Sequence, residues 1–202
     1  MTEDELYSKF LSCDTSAYAR YKMLLKKLSK NDIDVRLIKE LNEQAFPDNE
    51  RVSIDGLFDF GSDGSMDILG IYGSSFTGFF VIRKFKQIAY IAYFAICPEM
   101  RCKGNGSHAL KLLKEYYHDR QIVVDFEALD EHHKDNQQRI RRRDFYLRNG
   151  FNETGWFQFY MDTEFEIFCS DLNFNKTQFD GMNADIHSKY PDYDPHPYRK
   201  EE

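Results

Sequence analysis

The sequence is poor in cysteine and proline, and it contains no long apolar run. Cys13, Cys97, Cys102 and Cys169 show no CxxC spacing, and a chain of 202 residues is large enough to fold without disulfide staples. We therefore expect free thiols rather than disulfides or a zinc site. No stretch approaches the roughly 20 apolar residues of a membrane span, and acidic residues near the N-terminus stand where a secretory signal would be basic and then apolar. These absences predict a cytoplasmic protein without a membrane partner.

Basic residues are outnumbered, which bears on the choice of partners. The chain has 27 Lys and Arg against 34 Asp and Glu, for a net charge of -7, and such a protein repels a polyanion at long range. The run Arg139-Ile140-Arg141-Arg142-Arg143 wraps around a helix, so we interpret it as a solvated or cofactor-phosphate-facing surface. Nucleic acid is therefore not an expected partner.

Apolar and aromatic residues, in contrast, are abundant. Hydrophobic residues make up 42% of the chain, which includes 18 Phe and 13 Tyr. This content supports a packed core and favours strands, because aromatic side chains suit the half-buried surface of a sheet. We predict one folded domain over residues 19–172, an N-terminal extension over residues 1–18 and a polar C-terminal extension over residues 173–202. Residues 190–198 are expected to be a partly disordered tail, with a partner-binding strand or a substrate lid as the alternatives.

Periodicity along the chain predicts an α/β (α+β) fold with a mixed sheet. Short turns join three strands between residues 66 and 96 into an antiparallel meander. A strand, a helix that opens at residues 104–106 and a further strand then form a crossover, which makes its two strands parallel. Ser29 and Asp32 supply N-cap chemistry for the first helix, which ends at Ala45 before Pro47. The predicted strands are 21–28, 66–72, 76–85, 88–96, 122–129, 156–161 and 165–169, and the predicted helical segments are 33–45, 104–116 and 137–148, with a short amphipathic stretch near 54–58.

The most informative segment lies where the strand 88–96 passes into the next helix. Arg101, Gly104 and Gly106 form an RxxGxG pattern. Glycines let the backbone approach a ligand closely, and the N–H groups at a helix N-terminus attract an anion. The pattern therefore indicates a pyrophosphate site. A glycine-rich turn that merely starts a helix is the alternative when the pattern stands alone.

A second segment strengthens this interpretation. The run Phe145-Tyr146-Leu147-Arg148-Asn149-Gly150-Phe151 ends the helix 137–148. Together the two segments resemble the GNAT superfamily of acyl-CoA-dependent N-acyltransferases over about residues 20–170. The stretches 45–51 and 138–143 are also similar to a bacterial subgroup described only as GNAT acetyltransferases. The resemblance implies a GNAT-like mixed, mostly antiparallel central sheet with a parallel β-α-β crossover and helices on both faces.

The resemblance also implies which residues hold acetyl-CoA, the expected co-substrate, and no metal is expected. The strand before the loop would separate from its parallel neighbour, and the pantetheine arm would fill the gap. Asn136 matches a position that often contacts this arm. Cys102 departs from the family, which often has glycine there, yet its side chain can point outward. The implied contacts are backbone groups near Ala95, Ile96 and Cys97, which would also polarise the thioester carbonyl, and the N–H groups of Arg101, Cys102, Lys103, Gly104, Asn105, Gly106 and Ser107.

Two further residues are candidates for proton transfer. By the resemblance, Tyr146 is the acid that protonates the leaving thiolate of coenzyme A; the alternative is a core tyrosine whose hydroxyl finds a backbone partner. Glu127 is the candidate base, since an amine with a pKa of about 10.4 must lose a proton before it attacks. Partial burial on its strand could raise its pKa, and a solvated, outward-facing carboxylate is the alternative. A covalent role for Cys97 lacks a visible activating base, so direct transfer is favoured.

The sequence thus predicts an N-acetyltransferase that moves the acetyl group of acetyl-CoA to a primary amine of a small molecule or peptide, by direct attack in a ternary complex. A protein N-acetyltransferase and a non-catalytic acyl-CoA-binding sensor are the alternatives. The identity of the acceptor amine and the oligomeric state stay open, with a homodimer among the states considered.

Overall fold

One sheet runs through the part of the chain that the structure describes. This computed structural model describes residues 23–48, 51–160 and 162–200. The strands are β1 (Leu24–Lys27), β2 (Met66–Tyr72), β3 (Phe76–Phe85), β4 (Ile88–Ile96), β5 (Gln121–Glu127), β6 (Asn152–Tyr160), β7 (Thr163–Cys169) and β8 (His196–Arg199). They form an 8-stranded sheet in the order β1-β2-β3-β4-β5-β7-β6-β8. Neighbouring strands run antiparallel except β4 and β5, which are parallel, so the predicted mixed sheet is confirmed.

Helices cover both faces of this sheet, as predicted. They are α1 (Val35–Ala45), α2 (Ile54–Phe60), α3 (Asn105–Tyr116), α4 (Asn136–Arg148) and α5 (Lys176–Lys189). Successive strand residues point to opposite faces: Phe80 and Ile82 join the core under α3 and α4, on the first face, whereas Phe79 and Val81 join the core under α1 and α2, on the second face. Helix α5 also covers the second face, where it buries Phe179. Among the residues described above, no helix is long and apolar enough to cross a membrane.

Most elements have bounds close to the predicted ones. Strands β2, β3 and β4 match residue for residue, and α1 ends at Ala45, as the following proline requires. The predicted helix start is wrong: Asp32 accepts hydrogen bonds from the N–H and the hydroxyl of Ser29, both at 2.8 Å. These two residues therefore form a turn, and Asp34 takes the N-cap position. Residues 1–18 and the start of the predicted strand 21–28 lie outside the described residues.

Strands β4 and β5 pair over only part of their length. Residues 88–90 pair with residues 121–123, and within the described stretch 88–127 no later residue of one strand pairs with the other. The β3–β4 register shifts so that Val81 lies opposite Tyr93 and Ile82 opposite Ile91, which makes Ala92 an extra residue. A bulge of this kind bends a strand. The result is a wedge between residues 91–96 of β4 and 124–127 of β5, which we call the β4–β5 opening.

The C-terminal segment is folded onto the sheet. Helix α5 buries Phe179 and Met182 completely, and β8 pairs with β6 in a register that sets Tyr198 opposite Phe157. The expectation of a partly disordered tail is therefore wrong for residues 196–199, whose strand pairs within the chain. The sequence did not predict α5, because this helix has a short apolar stripe among many polar residues, which weakens the helical pattern.

Asp67 is a buried carboxylate that ties the sheet to the end of α3. Its Oδ2 accepts a hydrogen bond of 2.7 Å from the Tyr117 hydroxyl, and its Oδ1 lies 2.6 Å from Lys27 Nζ and 2.9 Å from Lys84 Nζ. Burial raises the pKa of Asp67, but the hydrogen bonds from Lys27, Tyr117 and Lys84 outweigh burial and hold the pKa below its usual value. The stability that ionised Asp67 contributes to the fold is therefore fully present above its unfolded-state pKa of about 3.9. It is lost as the pH falls through the folded-state pKa.

We expect Asp67→Ala to lower the free energy of unfolding by about 2 kcal/mol at neutral pH, because the Tyr117 hydroxyl loses its acceptor while the lysines turn to solvent. The variant should lose less stability than the wild type between neutral pH and about pH 3. Urea unfolding at both pH values checks this. Asp55→Ala breaks an exposed ion pair with Lys39 at 2.7 Å and should cost less than about 1 kcal/mol. Equal losses in the two variants would contradict the role given to Asp67.

Candidate active site

The free edge of β4 supplies backbone groups to the β4–β5 opening. The Cys97 N–H donates to the Thr77 carbonyl at 2.9 Å, so the backbone of Cys97 faces β3. Backbone groups alternate in direction along a strand, which turns the N–H groups of Phe94 and Ile96 toward the opening and that of Ala95 toward β3. The N–H of Ile96 therefore faces the opening, whereas those of Ala95 and Cys97 are directed to β3, and a role of these residues in holding a cofactor stays a prediction. Phe94 is absent from the sequence prediction, because strand register decides which residues face the gap.

The loop after β4 presents N–H groups at the start of α3. Cys102 and Gly104 adopt left-handed φ angles of 59° and 80°, and the turn that they make leads into α3. The Arg101 N–H donates to the Pro98 carbonyl at 3.2 Å, but in this described part of the chain the N–H groups of residues 102–107 have no hydrogen-bond acceptor. Unpaired donors at a helix N-terminus favour an anion. The loop therefore fits a pyrophosphate, with Arg101 contributing charge rather than its N–H.

Side chains brace the loop in this conformation. Arg101 and Lys103 belong to the same loop as the free N–H groups. Cys102 is exposed, so its side chain points outward as expected, although its left-handed backbone suits glycine better. Three side chains donate to backbone carbonyls: Arg101 Nε to Ile96 at 2.9 Å, Lys103 Nζ to Glu99 at 2.7 Å and Asn105 Nδ2 to Met100 at 2.8 Å.

Gly106 brings the two signature segments together. A Cβ atom added at Gly106 would lie 3.2 Å from the Phe145 ring, which is closer than ordinary van der Waals contact. The Phe145 ring in turn lies 6.3 Å from the Phe94 ring, measured between centroids. The glycine therefore lets α3 approach α4 and β4, in addition to any role in admitting a ligand.

Tyr146 lies deep on the first face. Its residue is 5% exposed, and its ring stacks on Phe126 at 5.2 Å and meets Phe151 edge-on at 5.3 Å. Among the described residues its hydroxyl has no hydrogen-bond partner, so the alternative of a core tyrosine satisfied by the backbone finds no support there. Burial raises the pKa of Tyr146, Arg142 opposes this shift, and Asp125 adds to it. The hydroxyl therefore keeps its proton at neutral pH.

Glu127 ends β5 and forms an ion pair with Arg142. Its side chain is 25% exposed, so it is partly buried, and the alternative of a simply solvated carboxylate does not describe it. Because the Arg142 guanidinium is paired with the Glu127 carboxylate, Glu127 can accept a proton only if the substrate amine reaches the same carboxylate beside Arg142. The assignment of Glu127 as the base stays a prediction.

The arginine-rich run is explained by bonds to the sheet. Arg143 Nε lies 3.2 Å from Glu166 Oε2, and Arg139 Nη1 donates to the Ala128 carbonyl at 2.7 Å. Together with Arg142, these arginines anchor α4 to the strands beneath it. The interpretation of the run as a solvated or phosphate-facing surface is therefore corrected for these three residues.

Asn136 begins α4, and Phe46 and Val52 stand between α1 and α2. The Asn136 Oδ1 accepts a hydrogen bond from the Asp130 N–H at 3.0 Å, which closes the loop before α4; its contact with a cofactor stays a prediction. On the second face, the Val52 N–H donates to the Tyr93 hydroxyl at 3.0 Å. The Phe46 ring meets the Tyr93 ring edge-on at 5.0 Å. Phe46 and Val52 therefore form a wall beside Tyr93, in the bulged part of β4.

Cys97 lacks the environment of a reactive thiolate. The residue is 8% exposed, and burial raises the pKa of its thiol, with Glu99 adding to the shift. Nucleophilic cysteines show the opposite shift, because a nearby positive charge or base stabilises their thiolate.

We accordingly expect Cys97→Ala to keep its turnover within about threefold of the wild type, since direct transfer needs no thiolate in the protein. Release of free thiol from acetyl-CoA measures turnover, and calorimetry with coenzyme A verifies that the site is intact. Complete loss of turnover in a folded variant that still binds coenzyme A would refute direct transfer.

Comparison with known proteins identifies the family. The model described as the acetyltransferase (GNAT) family matches residues 35–151, a stretch that holds the β4–β5 opening, the loop and Tyr146. The chain belongs to the GNAT acetyltransferase family. No curated protein sequence matches this GNAT chain significantly.

Solved structures of acetyltransferases share its fold. A GNAT-family acetyltransferase from Bacteroides thetaiotaomicron is 22% identical with a TM-score of 0.65, covering 82% of this chain and 96% of its own. The spermidine/spermine N-acetyltransferase SpeG from Vibrio cholerae is 16% identical with a TM-score of 0.54, covering 73% and 93%. The aminoglycoside 6'-N-acetyltransferase from Enterococcus faecium is 10% identical with a TM-score of 0.54, covering 72% and 95%. At these identities the likeness shows the fold alone.

Proposed function

We propose that this GNAT protein is an acetyl-CoA-dependent N-acetyltransferase whose acceptor is a primary amine of a small molecule or peptide. The observation that supports this most is the β4–β5 opening, which leads to the unpaired N–H groups of residues 102–107. An extended arm joined to a pyrophosphate matches this arrangement, because the arm fits between separated strands and the phosphates fit the donors. Acetyl-CoA is a molecule of that form.

The backbone would both hold the co-substrate and polarise its acyl group. The N–H groups of residues 102–107 bind the pyrophosphate, and Arg101 and Lys103 add positive charge beside it. The N–H groups of Phe94 and Ile96 pair with the arm as a neighbouring strand would. A donor from this edge that is aimed at the thioester oxygen stabilises the negative charge that develops there.

Transfer to an amine requires two proton movements. The amine nitrogen bonds to the acyl carbon as the carbon–sulfur bond breaks, so the nitrogen loses a proton and the sulfur gains one. Tyr146 supplies the proton to sulfur, since its hydroxyl is protonated at neutral pH and has no partner among the described residues. We propose that Glu127 accepts the proton from nitrogen, directly or through water, while Arg142 steadies the carboxylate.

The alternatives differ in the partner that they require. A protein N-acetyltransferase must admit a folded partner past the wall of Phe46, Val52 and Tyr93, whereas a slim amine passes such a wall more easily. A non-catalytic acyl-CoA sensor has no use for the unpartnered hydroxyl of Tyr146. The cytoplasmic location and the homodimer stay predictions.

The proposal is tested by mixing the protein with acetyl-CoA and a panel of amines while free thiol is monitored. The panel contains spermidine and an aminoglycoside, which are acceptors of structurally similar enzymes, and an alanyl peptide. We expect thiol release with at least one of them. Gly106→Val, which forces a side chain toward Phe145, should abolish coenzyme A binding and thiol release together. Binding without thiol release would favour the sensor, and absence of binding in a folded sample would contradict the proposal.

A further inference from the structure

Asp125 is a recessed carboxylate on the part of β5 that borders the β4–β5 opening. Strand alternation sends Val124 and Phe126 into the core under α3 and α4, so Asp125 points to the second face, where α5 lies. The Tyr90 hydroxyl donates to its Oδ1 and the Gln158 amide donates to its Oδ2. Because Tyr90 belongs to the last paired position of β4, the carboxylate sits near the apex of the wedge.

Tyrosines gather around this carboxylate. Burial raises the pKa values of Tyr90 and Tyr193, and the charge of Asp125 raises both further, which places both hydroxyls within its electrostatic reach. Electrostatic interaction with Tyr160 also raises the pKa of Tyr90. The ring centroids of Tyr160 and Tyr193 lie 5.4 Å apart. Aromatic residues of β4, β6 and the C-terminal segment therefore meet at one point.

The C-terminal segment fixes the position of the recess. On α5, the Asn183 Nδ2 donates to the Gln158 Oε1 at 3.1 Å, and the Tyr193 hydroxyl donates to the Asn183 Oδ1 at 3.4 Å. Gln158 is fully buried. Its amide oxygen accepts from Asn183, and its amide nitrogen donates to Asp125. A chain of hydrogen bonds thus runs from Tyr193 to the carboxylate and sets its orientation.

The protein does not balance the charge of Asp125. Within residues 23–48, 51–160 and 162–200, no Lys, Arg or His forms an ion pair with it, whereas Glu127 and Glu166 pair with Arg142 and Arg143. Burial raises the pKa of Asp125, although its hydrogen bonds oppose this shift. An enclosed carboxylate without a cation costs stability. The residue as a whole has intermediate exposure, and it lies two residues beyond the last β5 residue that pairs with β4.

We propose that Asp125, with the tyrosines Tyr90, Tyr160 and Tyr193, binds the ammonium group of the acceptor, so that the substrate is a cationic primary amine with a terminal charged nitrogen. This inference rests on the proposed function and assigns the acceptor its site. The ammonium group supplies the positive charge that Asp125 lacks, and tyrosine rings attract a cation. Tyr146 stands on the opposite face of β5, so the amine and the acid approach the opening from different sides.

Amine kinetics at saturating acetyl-CoA test the proposal, with the acceptor that reacts best among spermidine, the aminoglycoside and the alanyl peptide. Asp125→Asn should raise the KM for that amine by about 100-fold, because the ammonium loses a desolvated charge partner, while the Kd for coenzyme A is unchanged. Asp180→Asn is the matched control, since it removes the same charge from a surface pair with Lys176 at 2.5 Å; both constants should stay at wild-type values. An unchanged amine KM in folded Asp125→Asn overturns the proposal.

A second measurement uses only the wild type, should Asp125→Asn fail to fold. Methylammonium chloride should raise the KM for the amine without changing kcat, and sodium chloride at the same concentration should not. Equal effects of the two salts would overturn the ammonium site. A wild type that binds coenzyme A yet releases no thiol with any amine would instead contradict the proposed function, and this inference with it, so the two failures are distinguishable.

Discussion

Tyr146→Phe should lower kcat by about 100-fold or more while the Kd for coenzyme A stays at its wild-type value. The substitution keeps the ring that stacks on Phe126 at 5.2 Å and removes only the hydroxyl. Since that hydroxyl has no hydrogen-bond partner among the described residues, the fold loses no such bond. The loss of turnover then reports on proton donation to the departing sulfur. Thiol release measures kcat, and calorimetry measures Kd.

Tyr117→Phe is the matched control, because it removes a hydroxyl from another buried tyrosine. The Tyr117 hydroxyl donates to Asp67 at 2.7 Å, so its loss should cost about 1 kcal/mol of stability and leave kcat near the wild-type value. Unchanged kcat in Tyr146→Phe would remove Tyr146 from the mechanism, whereas equal losses of kcat in both variants would indicate a general effect on the fold.

A chain shortened after residue 172 should fail to fold cooperatively. It lacks α5, whose Phe179 and Met182 are fully buried, and β8, which pairs with β6. Loss of one such buried side chain costs about 2–5 kcal/mol, and a typical domain has about 5–15 kcal/mol of stability in total. Removal of both side chains and a strand therefore approaches the whole stability of the protein. Thermal unfolding followed by circular dichroism measures the outcome.

A chain shortened after residue 200 serves as the control and should unfold as the full chain does. If the chain shortened after residue 172 unfolded in a cooperative transition and still bound coenzyme A, the expectation that it fails to fold would be wrong. These two results would support residues 19–172 as a self-sufficient domain, which is the boundary that the sequence predicts.

The features that the sequence predicted well are those set by neighbouring residues. Alternating apolar residues and short turns delimit β2, β3 and β4, and a proline after Ala45 ends α1. The loop before α3 was also predictable, because its glycines and its place between a strand and a helix are local features. Even the departure at Cys102 did not obscure it, since the left-handed backbone persists there at φ 59°.

The remaining features depend on residues that are far apart in the chain. In the sequence Asp125 looks like any other strand carboxylate, because Gln158, which binds it, and Asn183, which binds Gln158, lie far along the chain. Similarly, Glu127 meets Arg142 only because α4 returns across the end of β5. Such pairings are decided by packing of whole elements, so one sequence without its structure leaves them open.

The extra residue at Ala92 makes the gap in the sheet a property of the backbone itself. Strand β3 pairs with β4 both before and after the bulge, so β4 can diverge from β5 and still remain paired in the sheet. A ligand that enters the β4–β5 opening therefore breaks no strand pairing. None of the free energy of its contacts is used to separate β4 from β5, so all of it contributes to affinity. The proposed selectivity for a long, thin acyl carrier then follows from a sheet that is already open before the carrier binds.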